Sequence, residues 1–211
     1  MIGIIDYGMG NLRSVQNALQ HLGYRSRLIS ESNALSKCER VILPGVGAFP
    51  DCMKQLEKNG FTTAIPALVQ NQIPLLGICL GMQVLFEDSE ESSFCHGLGV
   101  LHGHIRKMQD SHVKIPHIGW NDLTFLQMDP LLEGLSHPYV YYVHSFYACD
   151  YDKKDLLALS QYGSLYIPAI FRKNNVWACQ FHPEKSGDSG LRLLQNFLSY
   201  DPKAKEHQRK P

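Results

Sequence analysis

The chain has 211 residues, 44% of them apolar and 19% charged, with 20 basic and 20 acidic side chains. That is the composition of a globular domain with one sizeable core, and a formal charge of zero leaves no basic field to attract nucleic acid. No apolar run approaches the ~20 residues that span a bilayer, and the six cysteines, none in a Cys-x-x-Cys pair, read as free thiols in a reducing cytoplasm.

Ile2–Ile5 opens the chain as a buried strand rather than a cleavable leader. Asn11–Leu22 has helical spacing, with Leu12, Val15, Leu19 and Leu22 on one face and Gly23 as a stop. Strands are expected at Tyr24–Ile29 and Arg40–Leu43, helices at Phe49–Glu57 and Thr62–Gln70, and a strand at Ile73–Ile78. This alternation predicts an α/β fold, a mostly parallel central sheet with helices on both faces. Sites in such sheets lie at the carboxyl ends of the strands. The second half adds β signals at Gly99–Lys107, Ile118–Leu126, Tyr139–Cys149, Leu156–Gln161, Ala169–Arg172 and Val176–Phe181, before a closing helix at Gly187–Leu198. One domain over residues 1–200 is expected, followed by a polar tail, 201–211, that frays. Cys95, His96, His102 and His104 lie close together, but their spacing is not that of a zinc finger. The alternation of Leu98–Arg106 suggests a hairpin that spreads them over both faces, so no metal site is expected.

Chemistry enters at Gly77-Ile78-Cys79-Leu80-Gly81, where an apolar run turns into a helix-like segment. Gly-x-Cys-x-Gly is the spacing of a nucleophile elbow with cysteine in place of serine: a strained turn pushes the thiol out, and the flanking glycines remove Cβ atoms that would clash. A following helix would bring its positive end to the sulfur and favour thiolate. A buried strand-end cysteine fits the same pattern. The second segment is Gln180-Phe181-His182-Pro183-Glu184. Pro183 keeps His182 extended, and residues two apart in an extended segment share a side. His182 can then act as base toward Cys79, with Glu184 orienting it. The order nucleophile, histidine, acid, with the last two almost adjacent, differs from that of elbow hydrolases. An oxyanion hole needs preorganised N–H donors. The Leu80 amide is one, and Gly45-Val46-Gly47 after the third strand offers others, or is a simple turn. Gln83, four residues after Cys79, falls on the same helical face. Tyr7-Gly8-Met9-Gly10-Asn11 fails as a phosphate loop because position 13 is arginine.

With Asp6–Asn11, Pro44–Phe49, Gly77–Gln83, Pro116–Asn121, Tyr141–Phe146 and Gln180–Ser186 taken together, the chain resembles the class I glutamine amidotransferases over nearly its whole length. Within them it is similar to the glutaminase subunits of imidazole glycerol phosphate synthases. The resemblance implies a Cys79–His182–Glu184 triad that hydrolyses L-glutamine, without a cofactor. It implies an oxyanion strand at Gly45–Gly47 that a peptide flip near Val46 would switch on. It implies glutamine contacts from Gln83, Glu91, His144, Ser145 and Phe146. It places Asn11, Trp120 and Asn121 against a (β/α)8-barrel cyclase that receives the ammonia as heterodimer partner, with no nucleic acid or membrane partner. Glu91 reads equally as part of a solvated acidic turn, Asp88–Glu91, and Trp120 as core packing. A paralogous subunit serving a sugar-modifying synthase, a cysteine hydrolase on a related sheet, and a binding module without catalysis remain open at this point.

Overall fold

The computed structural model describes residues 1–92 and 94–201; the expected tail beyond Asp201 lies outside the described residues. In chain order the elements are β1 (Ile2–Ile5), α1 (Leu12–His21), β2 (Ser26–Ile29), β3 (Arg40–Gly45), α2 (Phe49–Lys58), α3 (Phe61–Gln70), β4 (Leu75–Cys79), α4 (Leu80–Gln83), β5 (Asp88–Ser89), β6 (Cys95–His96), β7 (His104–Lys107), β8 (His117–Asp122), β9 (Thr124–Phe125), β10 (Tyr139–His144), β11 (Phe146–Cys149), β12 (Leu156–Tyr162), β13 (Leu165–Lys173), β14 (Val176–Cys179) and α5 (Gly187–Ser199). Eight strands form the central sheet in the order β2-β1-β3-β4-β14-β13-β12-β9. The five from β2 to β14 run parallel, and β13, β12 and β9 close it antiparallel. The expected mostly parallel sheet with added antiparallel strands is present.

The middle strands explain the two-sided architecture. β4 is buried at every position, the signature of a strand covered on both faces. Alternate residues feed two separate cores. Ile42, Leu76 and Ile78 pack with Val15, Leu19, Leu194 and Phe197 of α1 and α5. Val41, Leu43 and Leu75 pack with Phe49, Leu56, Phe61 and Ile65 of α2 and α3. Each such aliphatic or aromatic side chain contributes about 1.5–3 kcal/mol on burial. Among the described residues, no helix is long and apolar enough to cross a membrane.

The structure corrects several expected spans. Tyr139–Cys149 is not one strand: it breaks at Ser145, whose carbonyl accepts from Met108 N at 2.9 Å, into β10 of a two-stranded ribbon with β8 and β11 of a separate four-stranded sheet. Ile118–Leu126 likewise divides at Leu123. The Leu98–Arg106 hairpin does not form. Only His104–Lys107 is extended, and it pairs with β5 in parallel and β11 antiparallel. His102 and His104 there bond to Glu87 and Asp88, at 3.1 and 2.7 Å.

Candidate active site

At the carboxyl end of β4, Cys79 has φ 54° and ψ −112°, a conformation costing about 1–3 kcal/mol that persists only where the surroundings enforce it. The glycines show what enforces it. A Cβ on Gly81 would lie 1.9 Å from the Leu43 carbonyl oxygen, and one on Gly77 would lie 2.8 Å from the Gly81 oxygen. A Cβ on Gly45, at the end of neighbouring β3, would meet Gly81 N at 2.6 Å. The elbow and the Gly45–Gly47 loop are therefore packed backbone on backbone. Gly47 sits at φ 102°, where glycine is favoured.

The helix expected after the elbow is corrected. α4 is a single turn, Leu80–Gln83. The carbonyls of Val84, Leu85 and Phe86 accept instead from Leu98, Leu101 and Gly99, at 2.8, 2.9 and 3.0 Å, so the chain cannot extend the helix. One turn aligns too few peptides to supply a full macrodipole. The positive charge beside the sulfur has to come from elsewhere.

It comes from His182. Its Nδ1 lies 2.8 Å from Glu184 Oε1. His182 is extended, but Glu184 belongs to a 3₁₀ turn, Pro183–Lys185, so that turn, rather than strand alternation, brings the carboxylate onto the ring. Backbone bonds hold the histidine: His182 N donates to Tyr141 O at 2.9 Å, and Ser186 Oγ donates to His182 O at 2.6 Å. Burial pushes the imidazole's pKa down, but Cys79 and Glu184 together push it up further, to about 10. Its Nε2 is buried and has no hydrogen-bond partner among the described residues. It remains available to the Cys79 thiol, which lies on the same cavity wall.

That cavity holds about 420 Å³ and is lined by Val46, Gly47, Cys79, Leu80 and His182, and by Gln83, Glu91, His144, Ser145 and Phe146. This volume suits a small metabolite. The structure thus gathers every residue expected in the triad or the glutamine pocket except Glu184, which stands behind His182, and Gly45, which stands behind the loop. Glu91 is not a solvated turn: its Oε2 accepts from Phe49 N at 2.8 Å, capping α2 from 42 residues away. Gln83 Nε2 donates to Phe146 O at 2.9 Å and to Gln180 Oε1 at 3.1 Å.

The residues expected at an interface do not share one face: Trp120 and Asn121 point to opposite sides of the β8–β10 ribbon. On the β8–β10 ribbon, Ile118 faces Val143 and Trp120 faces Tyr141. Ile118, Trp120, Tyr139 and Val143 are exposed, Trp120 at 57%, so core packing does not describe that tryptophan. Asn121 turns to the ribbon's other side, donating to Gln161 O at 2.8 Å. Asn11 ends the loop after β1; the neighbouring Gly10 approaches Pro44.

Two side chains at this site escaped the sequence reading. Gln180 is fully buried and reaches from Gln83 to within 3.9 Å of Cys79 Sγ. A lone amide inside the apolar run Val176–Phe181, two residues before His182, was its signal. His117 is buried behind His144, 3.1 Å ring nitrogen to ring nitrogen, and nothing in its neighbourhood in the sequence announces that contact.

The family model for class-I glutamine amidotransferases matches residues 3–199. Imidazole glycerol phosphate synthase subunit HisH of Caldanaerobacter subterraneus subsp. tengcongensis is 48% identical over 198 residues, covering 93% of this chain and 97% of that protein. The same-named subunit of Listeria monocytogenes serovar 1/2a is 43% identical, covering 93% and 94%. Among solved structures, one described as a glutamine amidotransferase superposes with a TM-score of 0.74 at 22% identity over 93% of this chain and 96% of that one. PurLQS from Thermotoga maritima also gives 0.74, at 20% identity over 94% and 97%; both show a shared fold. The chain belongs to the class-I glutamine amidotransferases.

Proposed function

We propose that this class-I glutamine amidotransferase is the cytoplasmic glutaminase subunit of an imidazole glycerol phosphate synthase, acting in histidine biosynthesis. It would hydrolyse L-glutamine and pass the ammonia to a (β/α)8-barrel cyclase that makes imidazole glycerol phosphate and an aminoimidazole carboxamide ribonucleotide. The observation that carries this reading is the convergence of the Cys79 thiol and a Glu184-paired His182 on one small cavity, in a chain 48% identical to a subunit of that name.

The chemistry follows from the geometry. The Cys79 sulfur attacks the side-chain carboxamide carbon of glutamine, and the carbonyl oxygen becomes an oxyanion. The Leu80 amide and the backbone at Val46–Gly47, both on the cavity lining, would be its donors. His182, held protonated between Cys79 and Glu184, gives its proton to the departing nitrogen. Ammonia leaves and a glutamyl thioester remains. Water then attacks the thioester, losing its proton to His182, and glutamate departs with the thiol restored. Glu184 keeps Nδ1 protonated, so that Nε2 carries each proton transfer. Val46 is exposed at the cavity mouth, close to the ribbon bearing Trp120. A partner covering that ribbon would bear on the loop that completes the oxyanion hole.

The test is glutamate release with and without a barrel cyclase, alongside synthesis of the imidazole product from glutamine and from ammonium salts. Cys79→Ala should abolish glutamine-dependent synthesis and leave ammonia-dependent synthesis intact. Loss of both, or undiminished glutamate release by the variant, overturns the reading.

A further inference from the structure

The cavity wall is backed by a chain of hydrogen bonds whose direction is set at one end. Phe146 O can only accept, and it lies 2.9 Å from His144 Nδ1, so that nitrogen carries the proton. His144 is buried, which pushes its pKa down to about 3, so the ring is neutral and Nε2 is a bare acceptor. The atom facing that nitrogen, at 3.1 Å, is His117 Nδ1, which must therefore donate. Burial lowers His117 as well, to about 4. Its Nε2 is then an acceptor in turn, and Asn121 Nδ2 stands 3.4 Å away. The plane of the His117 ring is fixed by its neighbours, and the contacts to His144 and Asn121 select its orientation within that plane. The ring is stacked between Tyr142 and Tyr162, with centroids at 4.5 and 3.9 Å.

The inner end of the chain reaches the pocket. Phe146 O also accepts from Gln83 Nε2. Gln180 Oε1 takes the second hydrogen of that amide. No hydrogen bond among the described residues uses Gln83 Oε1, and the side chain lines the cavity, so that oxygen is the acceptor left for a ligand. Were His144 to take its other tautomer, lone pairs would oppose each other at Phe146 O and two N–H groups would oppose each other at His117, and the carbonyl that orients Gln83 would lose a donor. Buried polar chains of this kind act as a unit and are costly when left half satisfied.

We propose that His117 is a positioning residue for the glutaminase reaction: through His144 and the Phe146 carbonyl it holds Gln83 with its oxygen toward the cavity, ready to accept an N–H of the substrate. The proposal rests on the glutaminase reading above. It concerns substrate affinity and leaves Cys79 and His182 untouched.

Three forms of the full-length chain, with the barrel cyclase present, test it: wild type, His117→Phe and His117→Asn. Phenylalanine keeps the stack between the tyrosines and removes the donor. Asparagine places an N–H near the position of Nδ1. His117→Phe is expected to raise KM for glutamine about tenfold with kcat within about threefold of wild type, and His117→Asn to recover most of that loss. A histidine that served stability alone would lower the melting temperature without moving KM, and that result overturns the proposal. So does an asparagine variant no better than phenylalanine. A second measurement needs no variant: nitrogen-15 shifts of the wild-type imidazoles should show Nδ1 protonated and Nε2 bare in both His117 and His144, and an Nε2–H on His144 overturns the assignment. Wild type that releases no glutamate removes the glutaminase reading itself, a result distinct from unaltered kinetics in the variants.

Discussion

His182 Nδ1 and Glu184 Oε1 meet at 2.8 Å with only Pro183 between them in the chain. So short a connection makes the base and its orienter one rigid unit, pinned by the bonds from His182 N to Tyr141 O and from Ser186 Oγ to His182 O. Glu184→Gln keeps the shape and removes the charge. Its kcat for glutamate release should fall roughly 10²-fold, within the range for a disrupted acid–base catalyst. Steady-state assays at saturating glutamine decide it; a loss smaller than threefold would remove Glu184 from the mechanism.

Gly81 and Gly99 offer a matched pair for the elbow. Gly99 has φ 60° and open space where a Cβ would go, so Gly99→Ala should cost only the left-handed backbone penalty of about 1–2 kcal/mol. Gly81→Ala drives a Cβ into the Leu43 carbonyl and should cost at least about 3 kcal/mol, or prevent folding. Urea unfolding of the two variants side by side gives the comparison, and equal costs would contradict the packed elbow.

Gln180→Leu keeps the volume of the side chain but removes its contacts with Cys79 and Gln83. Since Gln83 Nε2 retains Phe146 O, stability should change by less than about 1.5 kcal/mol. Glutamine-dependent kcat/KM should drop about tenfold. Unaltered kinetics would show that the sequence reading lost nothing by omitting this residue.

Three histidines shape the pH dependence of folding. His117 and His144 have folded pKa values pushed below the ordinary ~6.5 by burial. The unfolded chain therefore binds more protons than the folded one as pH falls from about 6.5, and stability is lost in that direction. His182 has the opposite sign: burial opposes its charge, yet Cys79 and Glu184 raise it to about 10, so its contribution is full below pH 6.5 and disappears as pH rises through 10. Together they predict greatest stability near neutrality. Urea midpoints at pH 5, 6 and 7 test the acid side, where His117→Phe should flatten the decline. A midpoint that rises toward pH 5 would contradict the buried neutral pair.

The exposed face of the β8–β10 ribbon predicts a separation of binding from folding. Trp120→Ala removes a side chain that is 57% exposed, and its effect on stability should stay within about 0.5 kcal/mol. If the ribbon meets the cyclase, the same change should weaken the complex by at least about 2 kcal/mol, roughly 30-fold in Kd, as for a central aromatic anchor. Calorimetric titration of the barrel into both proteins measures it. An unchanged Kd would move the interface elsewhere.

What the amino-acid sequence determined by itself was local. Apolar runs broken at regular intervals by helical spacing gave away the parallel sheet, because strands covered on both faces leave an unmistakable pattern. Gly77, Cys79 and Gly81 marked the elbow, since a turn that tight tolerates few alternatives, and His182-Pro183-Glu184 set a base and a carboxylate two residues apart, although it is the 3₁₀ turn at Pro183–Lys185 that joins them. What only the tertiary structure decided were contacts between distant segments. Phe86 and its neighbours stop the helix after Cys79 by bonding to residues 97–101, so the charge beside the sulfur comes from His182 and not from a helix end. Ser145 hands one run of β signal to two different sheets. Glu91 crosses 42 residues to cap α2, and His117 finds His144 across the ribbon. Hydrogen bonds between remote residues leave no periodicity in a chain; they exist only once packing has brought their donors and acceptors within 3 Å or so.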